Sequence, residues 1–155
     1  MEMAEPRVFA SLDELKSAVG EELGHSDWLE IDQKRIDLFA EATGDHQWIH
    51  VDPEKAAAGP FGTTIAHGYL TLSLLPVLVP QLMRVEGVRM GINYGSNKVR
   101  FPSPVPVGSR LRATGRIAEV SEVAGGVQLA AVITVEREGG DKPVCVAESV
   151  TRFYL

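Results

Sequence analysis

The feature that most limits the fold is the run GYLTLSLLPVLVPQLMR, residues 68–84, which is apolar on nearly every side. A helix without a polar face has to be wrapped by other elements. Its most apolar window, residues 69–83, is too short for a typical membrane span and contains Pro76 and Pro80. The expectation is therefore a buried helix, kinked or ended early at the prolines, and not a membrane segment.

What wraps it follows in the chain. After Gly87 the residues become β-branched and are punctuated at strand spacing. Residues 88–101 form the first such run, with Gly91 and Gly95 expected as bulges or bends. Pro102, Pro104 and Pro106 make a stiff extended connector. Leu111, Ala113 and Ile117 then alternate with Arg110, Arg112, Thr114 and Arg116, as in a half-buried strand. Gly125-Gly126 turns the chain into Val127, Leu129, Ala131, Ile133 and Val135, and Gly139-Gly140 turns it again into a strand near residues 143–154. Strands joined by short glycine turns make an antiparallel meander.

The earlier part reads as helical. Ser11 and Glu14 look like a capping box, with Leu12, Leu15 and Val19 on one face and Gly20 as the stop. Residues 28–31 suit a short strand. Asp32 caps a second helix that turns Ile36, Phe39 and Ala40 inward and ends at Thr43-Gly44. Asp52-Pro53 starts a brief third one, broken by Gly59-Pro60. Helices early, strands late and an apolar helix between them predict an α+β fold: an antiparallel sheet curled around a central helix. With no repeat or low-complexity tract, 1–155 reads as one domain, large enough for a core without disulfide or metal staples.

Charge and cysteine usage narrow the function. The formal net charge is −6, from 15 Lys+Arg and 21 Asp+Glu, whereas a nucleic-acid partner would call for a basic face. Cys145 stands alone between valines, so no disulfide framework or thiolate metal site is expected, and a reducing cytoplasm fits. The N-terminal residues are partly acidic and lack a long apolar run, so they do not read as a signal peptide.

The chemistry lies just before the apolar run. Asp45 and His50 flank the apolar pair Trp48-Ile49. A carboxylate and an imidazole beside apolar neighbours suit acid–base work, because desolvation and mutual contact move both pKa values toward working pH. Gly68 then opens the apolar helix, whose first N–H groups face whatever lies ahead of them. Each residue also fits a duller role. Asp45 could form a turn, and His50 could be a core histidine satisfied by backbone. His46 and His50 share the i,i+4 spacing of metal ligands, but Gly44 and Pro53 leave no room for a stable helix and no third ligand is evident. No metal is expected. His67 reads as shaping the turn through a side-chain hydrogen bond. Strand alternation would aim Asn97, with Val99 and Phe101, toward the central helix; Lys98 and Arg100 would face solvent.

The order G-D-x4-H-x-D-P (Gly44, Asp45, His50, Asp52, Pro53), then a loop, then Ala66-His67-Gly68 and an apolar helix resembles the MaoC-like dehydratases, and within them the R-specific enoyl-CoA hydratases. The resemblance runs from about Asp32 to the C-terminus and includes the strand YGSNKVRF at residues 94–101. It implies a hotdog fold, an antiparallel sheet wrapped around a long central helix, in dimers or pseudo-dimers. It implies that Asp45 and His50 are the catalytic dyad and that the Gly68 N–H serves an oxyanion hole. Trp48, Phe61, His67 and Asn97 would border the substrate. Many members carry Asn-Pro where this chain has Gln47-Trp48, with the Asp-to-His spacing kept.

The implied reaction is hydration of a trans-2-enoyl-CoA to the (3R)-hydroxyacyl-CoA, and its reverse, in fatty acid metabolism and without a cofactor. The implied partners are an acyl-CoA thioester and a second copy of the chain. The chain lacks the extra half of larger relatives, so short to medium acyl groups are expected. Two alternatives stand beside this reading: a hotdog acyl-CoA thioesterase, and a non-catalytic acyl-CoA binding or pairing subunit.

Overall fold

The computed structural model describes residues 5–155. Among the described residues, six helices, one 3-10 turn and eight strands surround a single buried core. The main sheet has the order β2-β6-β7-β8-β5, with β3 also pairing with β6. Its strands are β2 (Glu22–His25), β3 (Leu29–Glu30), β5 (Met90–Arg100), β6 (Arg110–Val123), β7 (Gly126–Arg137) and β8 (Cys145–Tyr154). β6, β7 and β8 form the expected meander, and β5 closes onto β8 rather than onto its sequence neighbour β6. The alternation carries through: Leu111, Ala113 and Ile117 on β6 and Val127, Leu129, Ala131, Ile133 and Val135 on β7 are all buried. A separate parallel pair joins β1 (Arg7–Phe9) to β4 (Met83–Val85).

The apolar run is segmented. It forms α5 (Gly68–Ser73), α6 (Leu75–Leu78) and a 3-10 turn over Val79–Gln81, with Pro76 and Pro80 each at the start of a new segment. Proline supplies no N–H and its ring crowds the preceding turn, so a single long helix cannot run through both positions. Leu70, Leu74, Leu75, Leu78 and Leu82 are buried against the sheet. Tyr69, Ser73, Pro76, Val77 and Pro80 are exposed, so the segment is wrapped on one side and open on the other, contrary to the expectation of cover all round. Among the described residues no helix is long and apolar enough to cross a membrane.

The cap signals hold where the sequence placed them. Ser11 accepts from the Glu14 N–H ahead of α1 (Leu12–Lys16), and Asp32 from the Arg35 N–H ahead of α2 (Gln33–Thr43). Asp52 does the same for Lys55 ahead of α4 (Pro53–Ala57). Gly44 ends α2 in the left-handed region at φ 80°. Three expectations need correcting. Val19 is exposed, because α1 ends at Lys16 and leaves it beyond the amphipathic turn. Gly91 is no bulge: it pairs in register with Phe153, and a Cβ there would stand 3.1 Å from the Phe153 ring. A one-turn helix, α3 (Trp48–Val51), forms where Gly44 and Pro53 were expected to leave no room.

Cys145 opens β8 fully buried, and burial pushes its thiol up to about 11. The thiolate is the reactive form. A thiol-reactive dye is therefore expected to leave Cys145 unlabelled in the native protein and to label it once the chain is unfolded in denaturant.

Candidate active site

α2 delivers Asp45 one residue past its Gly44 cap. α3 then carries His50 into the interior, with the side chain almost wholly buried. Its Nδ1 sits 2.7 Å from the Ile65 carbonyl oxygen. A carbonyl only accepts, so Nδ1 carries the hydrogen and Nε2 presents a lone pair. Ile65 is itself held twice, by its N–H to the Ile49 carbonyl and by a bridge to Pro106 of the proline-rich connector. Ala66 N–H to the Val105 carbonyl and Val107 N–H to the Thr64 carbonyl extend that pairing. The imidazole is thus aimed by backbone fixed to the sheet connector.

His67 stacks on His50, with centroids 3.9 Å apart and planes 24° from parallel. Its Nε2–H donates to the Asp45 carbonyl oxygen at 3.0 Å, and the Phe39 ring packs against it at a tilt, with centroids 4.9 Å apart. Single ligand-type atoms of Asp45, His50 and His67 all fall within 4.8 Å of one another. Two groups that share one water, each about 2.8 Å from it, stand roughly 4.5 Å apart, so the spacing suits a shared water. The cluster of potential metal ligands is therefore Asp45, His50 and His67, and His46 of the sequence pair is not in it. The near-parallel stack, however, sends the in-plane lone pairs of the two rings side by side instead of onto one point, which does not suit a tetrahedral ion.

A cavity of about 350 Å³ opens beside this cluster, walled by His50, Phe61, Gly68, Thr71, Phe101 and Val144 among others. Gly68 is the first residue of α5, and its N–H has no acceptor among the described residues. A Cβ at Gly68 would come within 3.0 Å of the Phe101 ring, so glycine lets the ring close over the helix start. Thr71 lies one helical turn on and is buried against the same cavity.

Of the residues singled out from sequence, His50, Phe61 and Gly68 meet at the cavity wall, and Asp45 stands exposed beside the histidine pair. Three others lie elsewhere. Trp48 packs over Gly59 and under the Lys55 ammonium, away from the cavity, because residues two apart on α3 point about 200° apart. Asn97 is exposed at a register shift between Ser96 and Lys98, where a bulge resets the alternation that would have turned it inward. His67 sits behind His50, outside the wall. The duller readings hold alongside: Asp45 Oδ1 accepts from the Gln47 N–H as in a turn, and His50 is satisfied by backbone at Nδ1. Sequence reasoning missed Gln33, whose amide donates to the His50 carbonyl oxygen and to Asp37 while accepting from the buried Thr64 hydroxyl. Only the tertiary fold brings α2 to that loop.

Burial lowers the His50 pKa below its ordinary 6.5, and His67 acts in the same direction against the raising effects of the Ile65 bond and Asp45. The unfolded chain then takes up this proton at a higher pH than the native protein does. Stability is expected to fall as pH drops from about 6.5 toward the native value. Thermal unfolding across that window should show a smaller loss for His50→Gln than for the unsubstituted protein; equal losses would contradict the assignment.

The MaoC-like domain matches residues 14–138. The 3-hydroxyacyl-thioester dehydratase Z of Mycobacterium tuberculosis is 60% identical over 148 residues, covering 95% of this chain and 98% of that protein. The 3-hydroxybutyryl-CoA dehydratase of Methylorubrum extorquens is 32% identical over 123 residues, covering 79% and 73%. The R-hydratase PhaJ1 from Pseudomonas aeruginosa superposes with a TM-score of 0.70 at 26% identity, covering 88% and 81%. The sheet, the helix behind it and the match over most of the sequence lead to one conclusion: this chain belongs to the MaoC-like dehydratases and has their hotdog fold.

Proposed function

We propose that the protein is an R-specific enoyl-CoA hydratase, running in reverse as a 3-hydroxyacyl-thioester dehydratase, with Asp45 and His50 as its acid–base dyad. The observation that carries this reading is the closeness of the Asp45 carboxylate and the His50 ring, which lie within 4.8 Å of each other through one ligand-type atom each, beside a cavity that His50 and Gly68 both line.

In hydration, water donates one hydrogen to the Asp45 carboxylate and the other to the His50 Nε2 lone pair. Its oxygen adds to the β-carbon of the conjugated thioester, and charge moves onto the thioester oxygen. The Gly68 N–H receives that charge; losing such a donor typically costs about 2.7–4 kcal/mol of transition-state stabilisation. The proton taken from water returns through the dyad to the α-carbon, so the product gains one whole water. Dehydration retraces these steps. Phe61, Phe101 and Val144 make the cavity wall largely apolar, and its volume lies near the lower end of ligand sites, which run from about 300 to 1,000 Å³. Both features favour short to medium acyl chains.

The proposed assembly is a homodimer. Among the described residues β5 has no partner along its outer edge, and Met90, Ile92 and Tyr94 are exposed on this strand. An open edge of that length is covered economically by pairing with a second copy. Sedimentation should give twice the chain mass for the native protein and a lower mass for Ile92→Asp; a monomeric native protein would contradict the dimer.

The central test follows the loss of conjugated-thioester absorbance with crotonyl-CoA. Asp45→Asn and His50→Ala are each expected to lower kcat by about 10²–10⁴-fold. Wild-type rates for both would rule out the dyad. Free thiol released in step with the loss of absorbance would support a thioesterase instead.

A further inference from the structure

We infer that His67 is a positioning residue, one that sets the catalytic geometry from behind without contacting the substrate. The inference rests on the dyad reading above and adds a component to it. A single side chain joins the three parts of the site. It hydrogen-bonds to the Asp45 backbone, stacks on the His50 ring and precedes Gly68 in the chain, as the N-cap of α5.

The restraint on Asp45 is the central point. Asp45 is exposed on a connection between two helices. Its other hydrogen bonds are long: 3.4 Å from its N–H to the Thr43 hydroxyl and 3.3 Å from the Gln47 N–H to its carboxylate. The His67 bond, at 3.0 Å, is the shortest that holds it. Its donor belongs to a ring that is 3% exposed and packed against both His50 and Phe39. Buried surroundings give the ring a fixed position, and the hydrogen bond passes that position to the loop. The same ring face sets the tilt of His50.

Packing alone does not explain a histidine here. The His67 Nδ1 is buried with no hydrogen-bond partner, and an unpaired buried nitrogen costs stability. A phenylalanine would fill the space and stack without that cost. What it lacks is the Nε2–H. His67 also makes no side-chain capping bond to α5, so helix initiation does not call for it.

The test uses the full-length protein and enoyl-CoA hydration. His67→Phe keeps the ring and removes the donor; His67→Gln keeps a donor of similar reach. We expect the phenylalanine variant to lose about 10–100-fold in kcat, as small misplacements of catalytic groups do. Its KM should change less than about threefold, since ground-state binding is untouched. Its melting temperature should not fall. The glutamine variant should recover most of the lost kcat. A phenylalanine variant within about threefold of the original kcat would overturn the inference, as would a loss carried mainly by KM or shared equally by the glutamine variant. Should the phenylalanine variant not fold, His67→Gln and His67→Met, matched in length and differing in the donor, decide the matter on the same criteria. Asp45→Asn keeps the two claims apart. If that variant is inactive while the His67 variants behave as the original protein does, only the positioning role fails.

Discussion

The hydrogen bond between His50 Nδ1 and the Ile65 carbonyl oxygen is the interaction on which the rest of the site depends. It fixes which nitrogen carries the hydrogen, and so which one can accept from a reacting water. It also makes the site a consequence of the sheet. The Ile65 carbonyl is where it is because residues 64–66 pair with the proline-rich connector between β5 and β6. That connector is stiff, and it is anchored at both ends by ladder hydrogen bonds. A disturbance of sheet register would therefore reach the imidazole directly.

The central helix matters through its first turn more than through its length. Two prolines divide the apolar run, yet the buried leucines of each segment still meet the sheet. The division leaves a strip of exposed residues, Tyr69 and Val77 among them, on the side away from the sheet. Tyr69 meets the Phe101 ring edge-on, and Phe101 in turn packs over Gly68. The start of the helix is thus shaped by the end of β5, the same strand whose edge the proposed dimer would cover.

Much of this was legible in the sequence because it is local. Caps at Asp32 and Asp52, the left-handed Gly44 and the alternation in β6 and β7 each follow from interactions within a few residues. What escaped was long-range. Nothing near residues 7–9 signals that they will pair in parallel with β4. Asn97 was misplaced because a bulge cannot be read from alternation; the partner strand's register decides it. The contact of Gln33 with Thr64 and the His50 backbone, and the stack of His67 on His50, join segments that only the fold brings together. The resemblance pointed to the two members of the proposed dyad, but the support behind them had to be seen in three dimensions.

The most direct test of the central claim is a crystal structure of the Asp45→Asn protein with crotonyl-CoA. The account predicts the thioester oxygen within hydrogen-bonding distance of the Gly68 N–H, with the β-carbon facing the gap between Asn at position 45 and the His50 Nε2. A thioester seated away from Gly68, or a β-carbon turned from His50, would contradict it.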